Sequence, residues 1–133
     1  MEFKGQVALV TGSARGIGKA IAETLAQRGA DVVVADVNAD EARGTALEIA
    51  QYGVKTLGVR LDVSNAEEVM KTFEAVLKEY GRLDILVNNA GITRDSLLLR
   101  MKEEDWDAVM DVNLKGVFLC SKEAVKVMGK QRY

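Results

Sequence analysis

The segment Thr11–Gly18, of sequence TGSARGIG, contains three glycines, and their spacing is typical of a loop that binds phosphate groups. Such a loop needs glycine where the chain turns sharply off a strand, where backbone N–H groups approach a phosphate, and where a helix packs closely on a sheet. The helix that follows directs unpaired N–H groups and a partial positive charge toward the same phosphate. A purely structural glycine turn is the alternative. The spacing therefore predicts a pyrophosphate site formed by Gly12, Ser13, Ala14, Arg15, Gly16, Ile17 and Gly18.

An acidic residue, Asp36, lies 18 residues after Gly18, at the end of the second predicted strand. A carboxylate at this place accepts hydrogen bonds from the hydroxyls of an adenosine ribose. It would also repel the 2′-phosphate of NADP, by roughly 4 kcal/mol for unit charges about 4 Å apart at an effective dielectric constant of about 20. Arg15 could offset part of this repulsion. Asp36 therefore favours NAD(H), with NADP(H) as the alternative cofactor and a solvated strand-end acid as the alternative role.

The strands that would position these residues are short, apolar and rich in β-branched side chains. A run of this kind is typical of a strand that is buried on both faces of a parallel sheet. The pattern predicts four strands, at residues 6–11, 31–36, 55–61 and 84–87.

The segments between these strands have apolar residues at helical spacing and end at glycines. Asn38 with Glu41, and Ser64 with Glu67, predict capping boxes at two helix starts. The helix after Ser64 is predicted to carry an apolar stripe formed by Ala66, Val69, Met70, Phe73, Val76, Leu77 and Tyr80.

A further long helical stretch is predicted from Lys102 onward. Strands that alternate with helices are typical of βαβ units with right-handed crossovers. We therefore expect an α/β fold with a Rossmann-type doubly wound parallel sheet, incomplete after its fourth strand, in a single domain over residues 1–133.

Composition excludes several classes of function. The chain has 18 Lys+Arg and 20 Asp+Glu, and 48% of its residues are hydrophobic, which argues against disorder and against a nucleic-acid partner. No apolar run approaches the roughly 18–20 residues that span a bilayer, and no secretory leader opens the chain, so we expect no membrane segment. Histidine is absent, which excludes Ser-His-Asp triads and His-ligated zinc, and no metal site is expected.

Cys120 is the only cysteine in the sequence, so it cannot form an internal disulfide. This favours a reducing, cytoplasmic compartment. We interpret Cys120 as a small core residue rather than a nucleophile, because no activating base or metal motif accompanies it. Trp106 is likewise predicted to pack within the long helical stretch rather than to stack on a ligand.

With these residues in view, the chain resembles the N-terminal, cofactor-binding half of a short-chain dehydrogenase/reductase over all 133 residues. The Thr-Gly-x-x-x-Gly-x-Gly spacing of Thr11–Gly18 is that family's form of the dinucleotide loop. The resemblance implies that Asp62 and Val63 hold the adenine ring, and that catalytic Asn113 interrupts the long helix and holds a water in a proton relay. It also implies that the segment after the fourth strand lies beside the nicotinamide ribose, through Asn89, Ala90 and Gly91.

Each of these positions also has a structural interpretation. Asp62 could cap the helix that begins near Ser64, and Asn89 and Gly91 suit a tight turn. Asn113 shares a helical stripe with Met110 and Val117, so we expect its amide to point toward an apolar interior, where it needs partners.

The segment Gly91–Met101, with the acidic stretch and Trp106 that follow, is similar to bacterial 3-oxoacyl-[acyl-carrier-protein] reductases. This implies reduction of a carrier-protein thioester in fatty-acid synthesis, a homotetramer, and a carrier-protein contact at Arg132. Ordinary helix-terminal charge is the alternative for Arg132. Asp36 departs from the subfamily, most of which uses NADPH. A sugar, polyol, steroid or acetoacetyl-CoA therefore stays open as substrate, as does a non-catalytic dinucleotide-binding module.

The family's catalytic Tyr-x-x-x-Lys signature is absent from these residues. Tyr52 has Lys55 three places on rather than four, and neither Tyr80 nor Tyr133 is followed by a lysine at the required spacing. The fourth predicted strand would also be left with an unpaired edge. We therefore expect this chain to be part of a longer protein, without the catalytic Ser, Tyr and Lys, and inactive by itself.

Overall fold

The computed structural model describes residues 2–91 and 100–132. A parallel sheet forms its centre, with the strand order β3-β2-β1-β4. Each strand ends within one residue of its predicted bounds, which confirms the predicted doubly wound α/β architecture. The strands are β1 (Val7–Thr11), β2 (Asp31–Asp36), β3 (Thr56–Arg60) and β4 (Ile85–Val87).

Five α-helices flank the sheet in the described residues: α1 (Gly16–Gln27), α2 (Ala39–Ala50), α3 (Ala66–Tyr80), α4 (Glu103–Met110) and α5 (Gly116–Gln131). The long helical stretch predicted from Lys102 is interrupted in the region of Asn113, as the family resemblance implied. A five-residue π-helical segment, Asp111–Lys115, separates α4 from α5. Such segments are rare, and they occur frequently at functional sites.

Two apolar clusters cover the two faces of the sheet because alternate residues of β1 and β2 point to opposite sides. Leu9 and Val33 pack with α3 and α5, whereas Val10 and Val34 pack with α1 and α2. These four side chains are fully buried. This is the burial pattern that the uniformly apolar strands predicted.

The predicted capping box at Ser64 and Glu67 is wrong by one residue. Asn65 is the N-cap of α3, and its side chain accepts a hydrogen bond from the backbone N–H of Glu68 at 3.1 Å. Ser64 is unavailable as a cap because its N–H and hydroxyl both donate to Asp62 Oδ1, at 3.0 and 2.6 Å.

The predicted apolar stripes are only partly buried. Val69 and Phe73 on α3 are buried, but Ala66 is exposed and 49% of Met70 is exposed. The prediction that Trp106 packs within its helix is also wrong, since the side chain is 55% exposed. The reason is that α4 has no buried residue, so none of its side chains enters the core.

The start of β4 is held to its neighbours by polar contacts. Asp84, almost fully buried, accepts hydrogen bonds from the backbone N–H of Val7 and from the guanidinium of Arg82. The side chain of Gln131, at the end of α5, binds the backbone N–H and C=O of Leu83, at 2.9 and 2.7 Å. These contacts fix α5 and β4 on the edge of the sheet, next to β1.

The other edge of β4 pairs with no strand in the described part of the chain. In residues 2–91 and 100–132, no helix is sufficiently long and apolar to cross a membrane.

Candidate functional site: a cleft at the carboxyl ends of the strands

A cleft of about 350 Å³ opens at the carboxyl ends of the strands. The chain leaves β1 toward β2 on one side and returns on the other side as β4, and ligands of open parallel sheets bind at such a reversal of strand order. The cleft is lined by Gly12, Arg15, Asp36, Val37, Leu61, Asp62, Val63, Asn89, Ala90, Gly91 and Val112. Eight of these residues were predicted from the sequence; Val37, Leu61 and Val112 were missed because apolar side chains at strand or helix ends carry no polar signal.

The glycine loop contacts the segment after β4 through backbone atoms. A Cβ atom on Gly12 would lie 2.8 Å from the Cα of Ala90. A Cβ atom on Gly18 would collide with the carbonyl oxygen of Gly12 and with the side-chain nitrogen of Asn89. These two glycines are therefore required by close approach.

The N-terminus of α1 has no cap from its own chain. Arg15 is the N-cap residue, its backbone is extended, and its side chain makes no capping hydrogen bond. The first turn holds no acidic residue. Gly16 has φ +64°, a conformation that favours glycine, and a Cβ there would meet nothing within 4 Å. An uncapped helix start that faces open space fits a phosphate group.

Asp36 lies at the end of β2 and uses both carboxylate oxygens to order neighbouring backbone. Its Oδ2 accepts from the N–H of Ala14 and its Oδ1 from the N–H of Asn38, each at 3.2 Å. A carboxylate has about four acceptor positions, so two such bonds leave capacity for ribose hydroxyls. The expected capping box at Asn38 is half present, because Asn38 accepts from the N–H of Glu41 while its own N–H turns to Asp36.

The segment after β4 is held by Thr11, which the sequence analysis did not single out as a site residue. Its hydroxyl oxygen accepts from the N–H groups of Asn89 and Ala90, at 3.1 and 3.0 Å. The Asn89 side chain in turn donates to the carbonyl of Gly12 at 3.0 Å. A hydroxyl at the end of an otherwise apolar strand is the sequence signal for this role.

A family profile described as "short chain dehydrogenase" matches residues 6–133. The chain belongs to the short-chain dehydrogenase family. It is 52% identical over 128 residues to the 3-oxoacyl-[acyl-carrier-protein] reductase of Synechocystis sp., covering 96% of this chain and 52% of that protein.

The similar proteins of two other bacteria carry the same description. The chain is 47% identical to the Aquifex aeolicus reductase, over 100% of this chain and 54% of that protein. It is 46% identical to the Escherichia coli reductase, over 100% of this chain and 53% of that protein. The chain therefore spans about half the length of the curated relatives that it matches.

Of the residues predicted to form the phosphate loop of this short-chain dehydrogenase, only Gly12 and Arg15 line the cleft. Ser13 is fully buried; its hydroxyl donates to the carbonyl of Val10 at 2.6 Å and accepts from the N–H of Ala35 at 3.2 Å. The Ser13 side chain thus extends the pairing of β1 with β2. Ala14 is buried, and Ile17 is 76% exposed on α1. Gly16, Ile17 and Gly18 form the first turn of α1 beside the cleft.

Asp62 and Val63 both line the cleft. One oxygen of Asp62 orders the turn before α3 through Ser64, but the helix itself is capped by Asn65, so the alternative that Asp62 caps α3 is wrong. Val63 is buried, and a Cβ atom on Gly116 of α5 would lie 2.5 Å from its Cγ2. Gly116 thereby lets α5 approach this wall closely.

Asn113 lies in the π-helical segment, at the place where the helix was expected to be interrupted. The prediction that its amide points into an apolar interior is wrong, because the residue is exposed. Its Oδ1 lies 2.9 Å from the position that a Cβ atom would take on Gly91. The π-helical segment thus places Asn113 beside Gly91.

The remaining titratable candidates lie away from the cleft. Burial raises the pKa of the Cys120 thiol to about 11, so it is neutral at physiological pH, which fits a core residue. Burial also raises the pKa of Tyr80 to about 12, and Lys55 Nζ lies 4.9 Å from its ring centre. Arg132, exposed at the end of α5, is at the opposite end of that helix from the cleft. The segment at residues 92–99 that suggested the reductase subfamily lies outside the described residues.

Proposed function

We propose that the intact protein is a nicotinamide-dependent oxidoreductase that reduces 3-oxoacyl-[acyl-carrier-protein] to the 3-hydroxyacyl form in fatty-acid synthesis. The observation that carries this proposal is the cleft in which Arg15, Asp36, Asp62 and Asn89 surround an uncapped helix start. Relatives that are 46–52% identical and named for that reaction support the choice of substrate.

The dinucleotide, when bound, supplies or accepts a hydride, and the chain's own residues bind and orient it. In this proposal the amides at the start of α1 bind the pyrophosphate and Asp36 accepts from the adenosine ribose. Asp62 and Val63 contact the adenine, and Asn89 to Gly91 form the wall toward the nicotinamide ribose. Asn113 orders a water for proton delivery, while the catalytic Ser, Tyr and Lys belong to the rest of the intact protein.

We further propose NAD(H) as the preferred cofactor. Asp36 borders the cleft and carries negative charge where a 2′-phosphate would enter, and its two backbone hydrogen bonds hold it there. Arg15 also lines the cleft and offers partial compensation, so we expect weaker but measurable use of NADP(H).

The proposal also covers the oligomeric state, the contact with the carrier protein and the location in the cell. Exposed apolar side chains on the π-helical segment and α5 support a homotetramer: Leu114, Val117, Phe118 and Val125. The exposed Arg132 is proposed to bind the carrier protein itself rather than the reacting thioester, since it is remote from the cleft. The single, buried cysteine supports a cytoplasmic location.

The test is turnover of acetoacetyl-[acyl-carrier-protein] by the purified intact protein with NADH and with NADPH, followed by loss of reduced-nicotinamide absorbance. We expect turnover with this thioester and a higher kcat/KM with NADH. If the protein turns over acetoacetyl-CoA or a polyol but not acetoacetyl-[acyl-carrier-protein], the proposed substrate is wrong and the protein is a family member with another substrate. Absence of any dinucleotide binding would overturn the proposal.

Substitution of Asp36 tests the cofactor preference. Asp36→Ala removes the charge that repels a 2′-phosphate, so we expect the ratio of kcat/KM for NADPH to that for NADH to rise by about 100-fold or more. Asp40→Ala removes a carboxylate from the exposed start of α2 and serves as the control. An unchanged ratio in Asp36→Ala would contradict the role of Asp36.

A further inference from the structure

Thr45 is a buried polar residue in the middle of α2 that does not line the cleft. Its hydroxyl donates to the carbonyl oxygen of Ala14, in the glycine loop, at 2.5 Å. The two residues are 31 positions apart in the chain, and both are buried. This contact joins the second helix of the fold directly to the loop that precedes the first.

Both backbone groups of Ala14 are held by side chains from other elements. The N–H of Ala14 donates to Asp36 at the end of β2, and its C=O accepts from Thr45 on α2. Because the peptide bond is planar and trans, fixing the carbonyl of Ala14 also fixes the N–H of Arg15, which points the opposite way, away from α2. The peptide between Ala14 and Arg15 is therefore oriented by Thr45.

That peptide immediately precedes the uncapped start of α1. Arg15 is the N-cap residue, so its backbone sets the direction in which the first N–H groups of the helix point. Backbone donors bind a phosphate well only when they are oriented before the ligand arrives. An acceptor left without its donor in a buried position would favour rotation of the peptide toward another partner.

We propose that Thr45 is a positioning residue for dinucleotide binding, which orients the Ala14–Arg15 peptide so that the start of α1 receives the pyrophosphate. This inference rests on the proposed function. It assigns a part in the site to the second helix, none of whose residues lines the cleft. Thr45 acts through the loop backbone and does not itself touch the ligand.

The test measures the affinity of the intact protein for ADP-ribose by titration calorimetry, together with the thermal midpoint of unfolding. Thr45→Val preserves shape and removes the hydroxyl, so we expect about tenfold weaker binding, because a peptide that is no longer held in place must be ordered when the ligand binds. Thr45→Ser restores the hydroxyl, and we expect affinity within about twofold of the original protein.

Thr56→Val is the matched control. Thr56 also donates its hydroxyl to an alanine carbonyl of α2, that of Ala46 at 2.7 Å, but it lies at the start of β3, away from the cleft. We expect this variant to lower the thermal midpoint as Thr45→Val does, and to keep ADP-ribose affinity within about twofold.

Each outcome decides the proposal. Unchanged affinity in Thr45→Val, or an equal loss in Thr56→Val, would overturn the positioning role while ADP-ribose binding by the original protein upholds the proposed function. If the original protein fails to bind ADP-ribose, the proposed function fails first. If Thr45→Val does not fold, Thr45→Ser and Thr45→Ala carry the same comparison, and equal affinities for that pair overturn the role.

Discussion

Helices α1, α2 and α3 all begin at the same edge of the sheet, yet the starts of α2 and α3 differ from that of α1. Asn38 and Asn65 each accept a backbone N–H of the first turn, and each of those turns carries two acidic residues. The start of α1 has no side-chain cap, and its first turn has no acidic residue. The chain thus stabilises two helix starts internally, whereas the third retains donors and partial positive charge, which fits the anion in the proposed function.

The largest effect on stability and binding is expected at Gly18, where the start of α1 packs against Gly12 and Asn89. Gly18→Ala would place a methyl group against the Gly12 carbonyl and the Asn89 side chain. We expect the free energy of unfolding to fall by about 3 kcal/mol and ADP-ribose binding to be lost. Chemical denaturation and titration calorimetry on the intact protein measure the two.

The control for that substitution is Gly44→Ala on α2, where a Cβ atom meets nothing within 4 Å. Replacement of an exposed helical glycine by alanine raises the free energy of unfolding by up to about 1 kcal/mol. Retention of ADP-ribose binding by Gly18→Ala would show that the close contact of loop and Asn89 is dispensable.

A smaller effect is expected from giving α1 the cap that α2 and α3 possess. Arg15→Asp places a carboxylate at an N-cap whose backbone is already extended, so the free energy of unfolding should rise by about 0.5–1 kcal/mol. The same carboxylate occupies the helix amides and repels a pyrophosphate, so ADP-ribose affinity should fall about 100-fold, as calorimetry would measure.

Arg43→Asp makes the same charge change on the exposed face of α2 and should leave affinity within about twofold of the original. If the Arg15→Asp variant is more stable and still binds ADP-ribose with the original affinity, the uncapped start of α1 is not an anion-binding site.

The smallest effect is expected from removing an internal cap. Asn65→Ala deletes the acceptor for the Glu68 N–H, which should cost about 1 kcal/mol of unfolding free energy. ADP-ribose affinity should not change, because the start of α3 is satisfied from within the chain. A tenfold loss of affinity in this variant would remove the distinction between the helix starts.

The sequence predicted the sheet and most of the cleft because these depend on local patterns. Apolar β-branched runs mark the strands. Asp36 ends one strand, and Gly12 and Asn89 follow two others, at carboxyl ends that share one edge of the sheet. In a parallel sheet, such residues converge whatever the details of packing. The fold class and the position of the cleft were therefore accessible from the sequence alone.

What was missed depends on tertiary contacts or on competition between neighbours. Ser64 was expected to cap α3, but Asp62 binds it and Asn65 takes the position. The hydroxyl of Ser13, a residue predicted for the phosphate site, is buried and links two strands, a contact that the sequence did not indicate. The contact of Thr45 with Ala14 spans 31 residues, and no local pattern announces it.

The pairing of β1 with β4 has a consequence for the order in which the molecule assembles. β1 meets β2 through residues 7 and 31, and β2 meets β3 through residues 32 and 56, whereas β1 and β4 join residues 77 positions apart. Closing a longer loop costs more chain entropy. We therefore expect the first three strands to associate early and β4 to dock after them, so that the wall formed by Asn89 and Ala90 is completed later than the rest of the cleft.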